Sequence, residues 1–119
     1  MKTKLRGIFL TSEHPEQTAA FYRDVAGLDL EQVGDPSTYI YWKLDQDGLQ
    51  LAIHDAQKFA DYAYPAQATS NVTHLYFQIE RHERFLEHLQ QLHIQPHAID
   101  DIVITVVDPD GRMVMFGTA

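Results

Sequence analysis

The 119-residue chain has no cysteine, so disulfides and thiolate chemistry are both excluded, and the redox compartment leaves no trace in it. It is also poor in positive charge, with 9 Lys and Arg against 17 Asp and Glu and a formal net charge of −8. A nucleic-acid backbone partner needs a basic face, which this balance does not supply. No apolar run approaches the roughly 18 residues of a membrane span, and no basic-then-apolar signal segment is evident. The expectations are therefore no nucleic-acid partner, no membrane partner and a cytoplasmic location.

What is present fits one soluble globular domain with a real core: 45% of residues are hydrophobic and 22% charged. The surplus acid is either a solvated surface or a field that mildly favours neutral or cationic ligands.

The chain is organised around an internal repeat. Leu44-Asp45-Gln46-Asp47-Gly48 lines up with Val107-Asp108-Pro109-Asp110-Gly111 at an offset of 111 − 48 = 63. The flanks continue the match, Tyr39–Trp42 over Ile102–Thr105 and Leu49–His54 over Arg112–Gly117. Each copy is a β-rich apolar run, an Asp-x-Asp-Gly turn and a second apolar run, which is a hairpin signature. The paired carboxylates of Asp45, Asp47, Asp108 and Asp110 are accounted for by the turns themselves.

In order, Met1–Thr11 reads as a strand. Pro15 and Glu16 suit the first turn of a helix on which Ala19, Tyr22, Val25 and Ala26 recur at helical spacing, with Gly27 as its stop. Leu28–Val33, Thr38–Leu44 and Leu49–His54 are strands, separated by turns at Gly34–Ser37 and Asp45–Gly48. Asp55–Val72 is a linker with one short helical turn, whose Phe59, Tyr62 and Tyr64 pin it to the body or roof a pocket. Then the pattern recurs. Thr73–Ile79 is a strand matching Arg6–Ser12 at an offset of 74 − 7 = 67, Arg81–His93 is a helix with Phe85, Leu86, Leu89 and Leu92 on one face, and strands follow at Gln95–Ala98, Ile102–Val107 and Arg112–Gly117. The fold class is α+β: β-α-β-β-β twice, as module 1–54, linker 55–72 and module 73–119.

Thr18–Leu28 (TAAFYRDVAGL), Thr73-His74-Leu75-Tyr76-Phe77 and Val107–Gly111, in this order around an internal repeat, resemble the vicinal oxygen chelate superfamily. That superfamily includes glyoxalase I, extradiol dioxygenases, and fosfomycin- and bleomycin-resistance proteins. The resemblance implies two tandem β-α-β-β-β modules forming a curved mixed sheet around a cleft, usually in a homodimer. It also implies a divalent metal held by His, Gln or Glu from the first and last strand of each module. Those four places fall on Gly7, Ala52, His74 and Met115. Glycine and alanine offer no side-chain donor and a thioether is too soft, so three of the four do not bind such an ion. One imidazole does not make a catalytic metal site, which needs about three protein ligands. No metal and no other cofactor is expected. The alternative is one divalent metal on a displaced set including His54 and His74, with Gln50 or Gln78, although His54 stands roughly 7 Å along the strand from the usual place. His14, His82, His88, His93 and His97 are expected to be solvated.

If the four places face inward, strand alternation adds Phe9, Thr11, Gln50, His54, Tyr76, Gln78 and Met113. An even-length Asp-x-Asp-Gly loop adds Tyr39, Tyr41 and Lys43; an odd, bulged loop turns Trp42 inward instead. The candidate ligand-binding residues are Phe9, Tyr39, Tyr41, Ala52, His54, His74, Tyr76, Met113 and Met115. Such a lining suits a flat organic ligand held by stacking and burial. The small Gly7 and Ala52 favour open space, whereas the same residues also read as the core of a small protein. The expected function is metal-free sequestration of an aromatic or cationic molecule, as in the bleomycin-resistance branch, by a homodimer. The alternative is a glyoxalase-like lyase or extradiol-type dioxygenase. A closed interaction module is a third reading.

Overall fold

A computed structural model describes residue 2, residues 4–60 and residues 74–119. The chain divides into two units, Met1–Ala66 and Gln67–Ala119. Each carries the expected β-α-β-β-β order around its own four-stranded mixed sheet, and the fold is α+β. Tyr62 and Tyr64 lie outside the described residues.

In the first unit β1 is Gly7–Ser12, α1 Pro15–Asp24, β2 Glu31–Asp35, β3 Tyr39–Gln46, β4 Leu49–Asp55 and α2 Ala56–Ala60, with sheet order β1-β4-β3-β2. Helix α1 begins at Pro15, whose fixed φ suits N1, and Glu16 complements the helix dipole. The buried Ser12 hydroxyl accepts the His14 N–H at 2.9 Å and bonds the Thr18 hydroxyl at 3.0 Å, which ties the end of β1 to the helix. Ala19, Tyr22 and Val25 are buried as their spacing predicts, and Phe21 and Thr18 join them. Helix α1 packs on β1 and β4. Strand alternation brings Leu10, Trp42 and Ile53, all buried, to one side of the sheet.

The β3–β4 hairpin closes on two residues, because Gln46 pairs Leu49. Asp47 and Gly48 both have positive φ, 52° and 82°, as a type I′ turn requires. The expected four-residue turn is thus shorter: Asp45 and Gln46 belong to β3. Strand β2 starts at Glu31 rather than Leu28. Residues 4–6 precede β1 instead of lying within it.

In the second unit β5 is Leu75–Gln78, α3 His82–Gln91, β6 Ala98–Ile99, β7 Val103–Val107 and β8 Met113–Gly117, in sheet order β5-β8-β7-β6. Leu75, Ile104, Val106, Val114, Phe116 and Leu89 form its core, and Phe116 stacks on Phe85 with ring centroids 4.4 Å apart. The 67-residue offset holds: Phe9 pairs Ala52, and Tyr76 pairs Met115. The 63-residue offset holds for only half of each hairpin. Lys43 pairs Ala52, but Thr105 pairs Met115, so β7 is offset from β3 by 105 − 43 = 62. The β7–β8 connection runs from Val107 to Met113, an odd loop, and places Ile104 in the core where simple repetition would give it the outward place that Tyr41 has in the first unit.

That loop is held by Asp108. Its buried carboxylate accepts the N–H groups of Asp110 and Arg112 at 2.9 Å each and the Arg112 guanidinium at 3.0 Å. Asp45, its counterpart in the repeat, is exposed and meets Lys43 at 2.6 Å. Replacing Asp108 with Ala therefore strands buried donors and is expected to cost about 2–3 kcal/mol, whereas Asp45→Ala leaves the thermal midpoint nearly unchanged. Thermal denaturation of both variants checks this.

Candidate functional site

On the side of the first sheet opposite Leu10, Trp42 and Ile53, alternation sets out Phe9 and Thr11 of β1, Ala52 and His54 of β4, and Tyr39, Tyr41 and Lys43 of β3. The two-residue turn decides this, since a loop of the other parity would exchange Tyr41 for Trp42. Helix α2 contributes Phe59, which meets both His54 and Phe9.

His54 is the centre of the group. Tyr41 stacks on its ring at 4.7 Å with the planes 15° apart. Phe59 lies at 4.7 Å and 34°, Phe9 edge-on at 5.4 Å, and Tyr39 at 5.8 Å. The Tyr39 hydroxyl is 2.6 Å from His54 Nδ1. Burial pushes the His54 pKa below its ordinary value, because the apolar surroundings penalise the imidazolium. The other ring nitrogen, Nε2, is sealed from solvent with no hydrogen-bond partner among the described residues. Toward the hairpin turn the face becomes polar, where Lys43 and Gln50 both bond Asp45.

Five of the predicted ligand residues thus come together: Phe9, Tyr39, Tyr41, Ala52 and His54. Two expectations about them change. Ala52 has no exposed surface and is a floor beneath the rings. Gly7 does not leave open space, because a Cβ there would stand 2.8 Å from the Phe9 ring, which occupies that volume. In the second unit, Tyr76, Met113 and Met115 share one face of their sheet. Tyr76 is committed within its own unit: its hydroxyl donates to the Ala119 carbonyl at 3.0 Å, and its ring lies where a Cβ on Gly117 would be. His74 precedes β5 and is exposed, so it is not a strand residue as expected. Phe59, read from the sequence as pinning the linker or roofing a pocket but not counted among the ligand residues, joins the group. Its only signal is an aromatic five residues beyond His54. An open hollow of about 600 Å³ also marks the second unit, beside Gln78, Ile79, Arg81, Arg84, Phe85 and His88.

The chain matches no family model, and no curated protein matches it. Its fold, however, is that of glyoxalase I and related proteins. A lactoylglutathione lyase from Agrobacterium tumefaciens is similar over 99% of this chain and 95% of its own, with TM-score 0.69 and 21% identity. A glyoxalase-related enzyme from Fulvimarina pelagi reaches TM-score 0.75 at 18% identity, over 99% of this chain and 89% of its own. TnmS3, an antibiotic-binding protein from a Streptomyces species, matches with TM-score 0.70 at 13% identity, over 98% of this chain and 96% of its own.

The divalent metal that such a fold implies does not fit the residues present. Gly7 is filled by an aromatic ring, Ala52 is buried and without a donor, Met115 offers a thioether, and only His74 carries an imidazole. Among the described residues, no three His, Cys, Asp or Glu side chains converge as a cation site. No helix of the described residues is long and apolar enough to cross a membrane.

The depressed His54 pKa has a consequence for stability. Unfolded, the imidazole takes a proton near its ordinary value of 6.5, whereas the folded form resists it. The unfolded state therefore binds more protons below that pH, and the contribution present above it is lost as pH falls toward the folded pKa. Between about pH 7.5 and about 5.5, the melting temperature of the wild type is expected to drop more than that of His54→Phe. Parallel thermal scans of the two proteins measure the difference.

Proposed function

We propose that the protein binds a small aromatic or cationic organic molecule without a metal ion, against the ring-lined face of the first unit, and sequesters it rather than transforming it. The observation that carries this reading is the five-ring group of Phe9, Tyr39, Tyr41, His54 and Phe59, in which a buried ring nitrogen has no partner among the described residues. Aromatic rings that already pack edge-on and stacked accept a further ring at small cost in side-chain entropy, since each turns on two dihedrals. The formal charge of −8 adds long-range attraction for a cation. The glyoxalase-like fold and the antibiotic-binding function of TnmS3 are compatible with this use of the scaffold. Likeness to bleomycin-resistance proteins, homodimer formation and a cytoplasmic setting come into the reading from the sequence alone.

Titration of the protein with a series of planar aromatic cations and neutral aromatics, followed by Trp and Tyr fluorescence, tests it. Tyr41→Ala removes the stacked ring and is expected to weaken binding about tenfold. Tyr76→Ala, in the other unit, leaves it unchanged. Loss at Tyr76 with none at Tyr41 overturns the assignment. Elemental analysis of protein purified without chelator is expected to find less than about a tenth of an equivalent of any transition metal, where a resident catalytic metal gives close to one. A near-equivalent amount overturns the metal-free part.

A further inference from the structure

The buried His54 Nε2, without a partner among the described residues, restricts what the ligand is, given that the ring-lined face is a ligand site at all. The Tyr39–Nδ1 contact bears on the tautomer. A phenol hydroxyl, with an ordinary pKa near 10, is a far better donor than a neutral imidazole N–H, and an imidazole lone pair is a better acceptor than a phenol oxygen. That preference favours donation from Tyr39 to Nδ1 across the 2.6 Å contact, the arrangement that leaves the single proton of the neutral ring on Nε2. That proton is a donor aimed among aromatic rings, with no acceptor among the described residues, and His54 as a whole is only 8% exposed. A buried donor left unmade is costly, so whatever supplies an acceptor there gains most of that cost back.

We propose that the ligand carries a hydrogen-bond acceptor on its planar aromatic frame, with an aryl ketone as the simplest form, and that this acceptor takes the His54 Nε2–H. Tyr39 is then a positioning residue, which holds the tautomer that donates. The acceptor reaches Nε2 by displacing Phe9. That ring is 48% exposed, meets His54 edge-on and has no polar anchor, whereas Tyr41 is stacked face to face and Tyr39 is hydrogen-bonded.

The test uses a shape-matched pair, 1-acetonaphthone and 1-isopropenylnaphthalene, titrated into the full chain by fluorescence quenching. The wild type is expected to prefer the ketone by about tenfold, the discrimination that one buried hydrogen bond supplies. In His54→Phe, which keeps a ring in place, the preference falls below about twofold. Nitrogen-15 NMR of the wild-type histidine side chains gives a readout independent of any variant. The proton is expected on Nε2 in the free protein, with a downfield shift on adding the ketone and none on adding the hydrocarbon. Equal binding of both probes, or a proton found on Nδ1, overturns the proposal while leaving the ligand face standing. Binding of neither probe up to about 1 mM overturns both the proposal and the reading it rests on.

Discussion

The parity of one turn determines what the first unit displays. Asp47 and Gly48 close the β3–β4 hairpin in two residues, and the left-handed backbone both adopt is available to Gly without strain and to Asp at low cost. Because side chains alternate along a strand, that length sends Trp42 to the side with Leu10 and Ile53 and leaves Tyr39 and Tyr41 beside His54. A one-residue change in the loop would reverse every one of these placements. The second unit shows the other outcome. Its longer, odd loop, braced by the buried Asp108–Arg112 pair, sends Ile104 and Val106 to the core and leaves Thr105 beside Met115. Two copies of one module thus carry different surfaces through a difference in their turns.

Around His54 the aromatic rings have opposing effects. They exclude water, which disfavours the imidazolium and keeps the ring neutral, and they provide faces and edges against which a further ring can lie. The small residues beneath them make this close packing feasible. Gly7 gives its side-chain volume to the ring of Phe9, and Ala52 forms a floor with no exposure. The same two positions, together with Met115, are where the resemblance to metal-binding proteins would place donors. A side chain at residue 7 would have to shift the Phe9 ring, which stands 2.8 Å from a Cβ there, and Ala52 has no donor to offer.

Much of this was legible in the residues. The Asp-x-Asp-Gly repeat revealed the doubled β-α-β-β-β order, and the 67-residue offset between Gly7 and His74 gave the correct register of β1 and β5. Alternation alone brought Phe9, Ala52 and His54 to one face, and added Tyr39 and Tyr41 only for an even loop, which the Gln46–Leu49 pairing supplies. The 63-residue offset misled on β7, since a sequence match through the turn does not report how many residues the backbone uses to close it. Phe59 was read only as pinning the linker or roofing a pocket, because a single helical turn after β4 is too short to show which face it presents. The filling of the space at Gly7 was hidden for a similar reason: a missing side chain does not say which neighbour moves in. His74 lay at the right register but one residue before β5 begins, where it is exposed rather than enclosed.

The central claim is that ligand recognition belongs to the ring-lined face of the first unit, and mapping a bound aromatic molecule by NMR tests it most directly. With aromatic carbon-13 labelling, titration of a planar aromatic ligand is predicted to shift Phe9, Tyr39, Tyr41, His54 and Phe59 together, with one common binding curve. Shifts confined to Tyr76, Met113 and Met115 in the second unit, with the His54 group unmoved, would contradict the account.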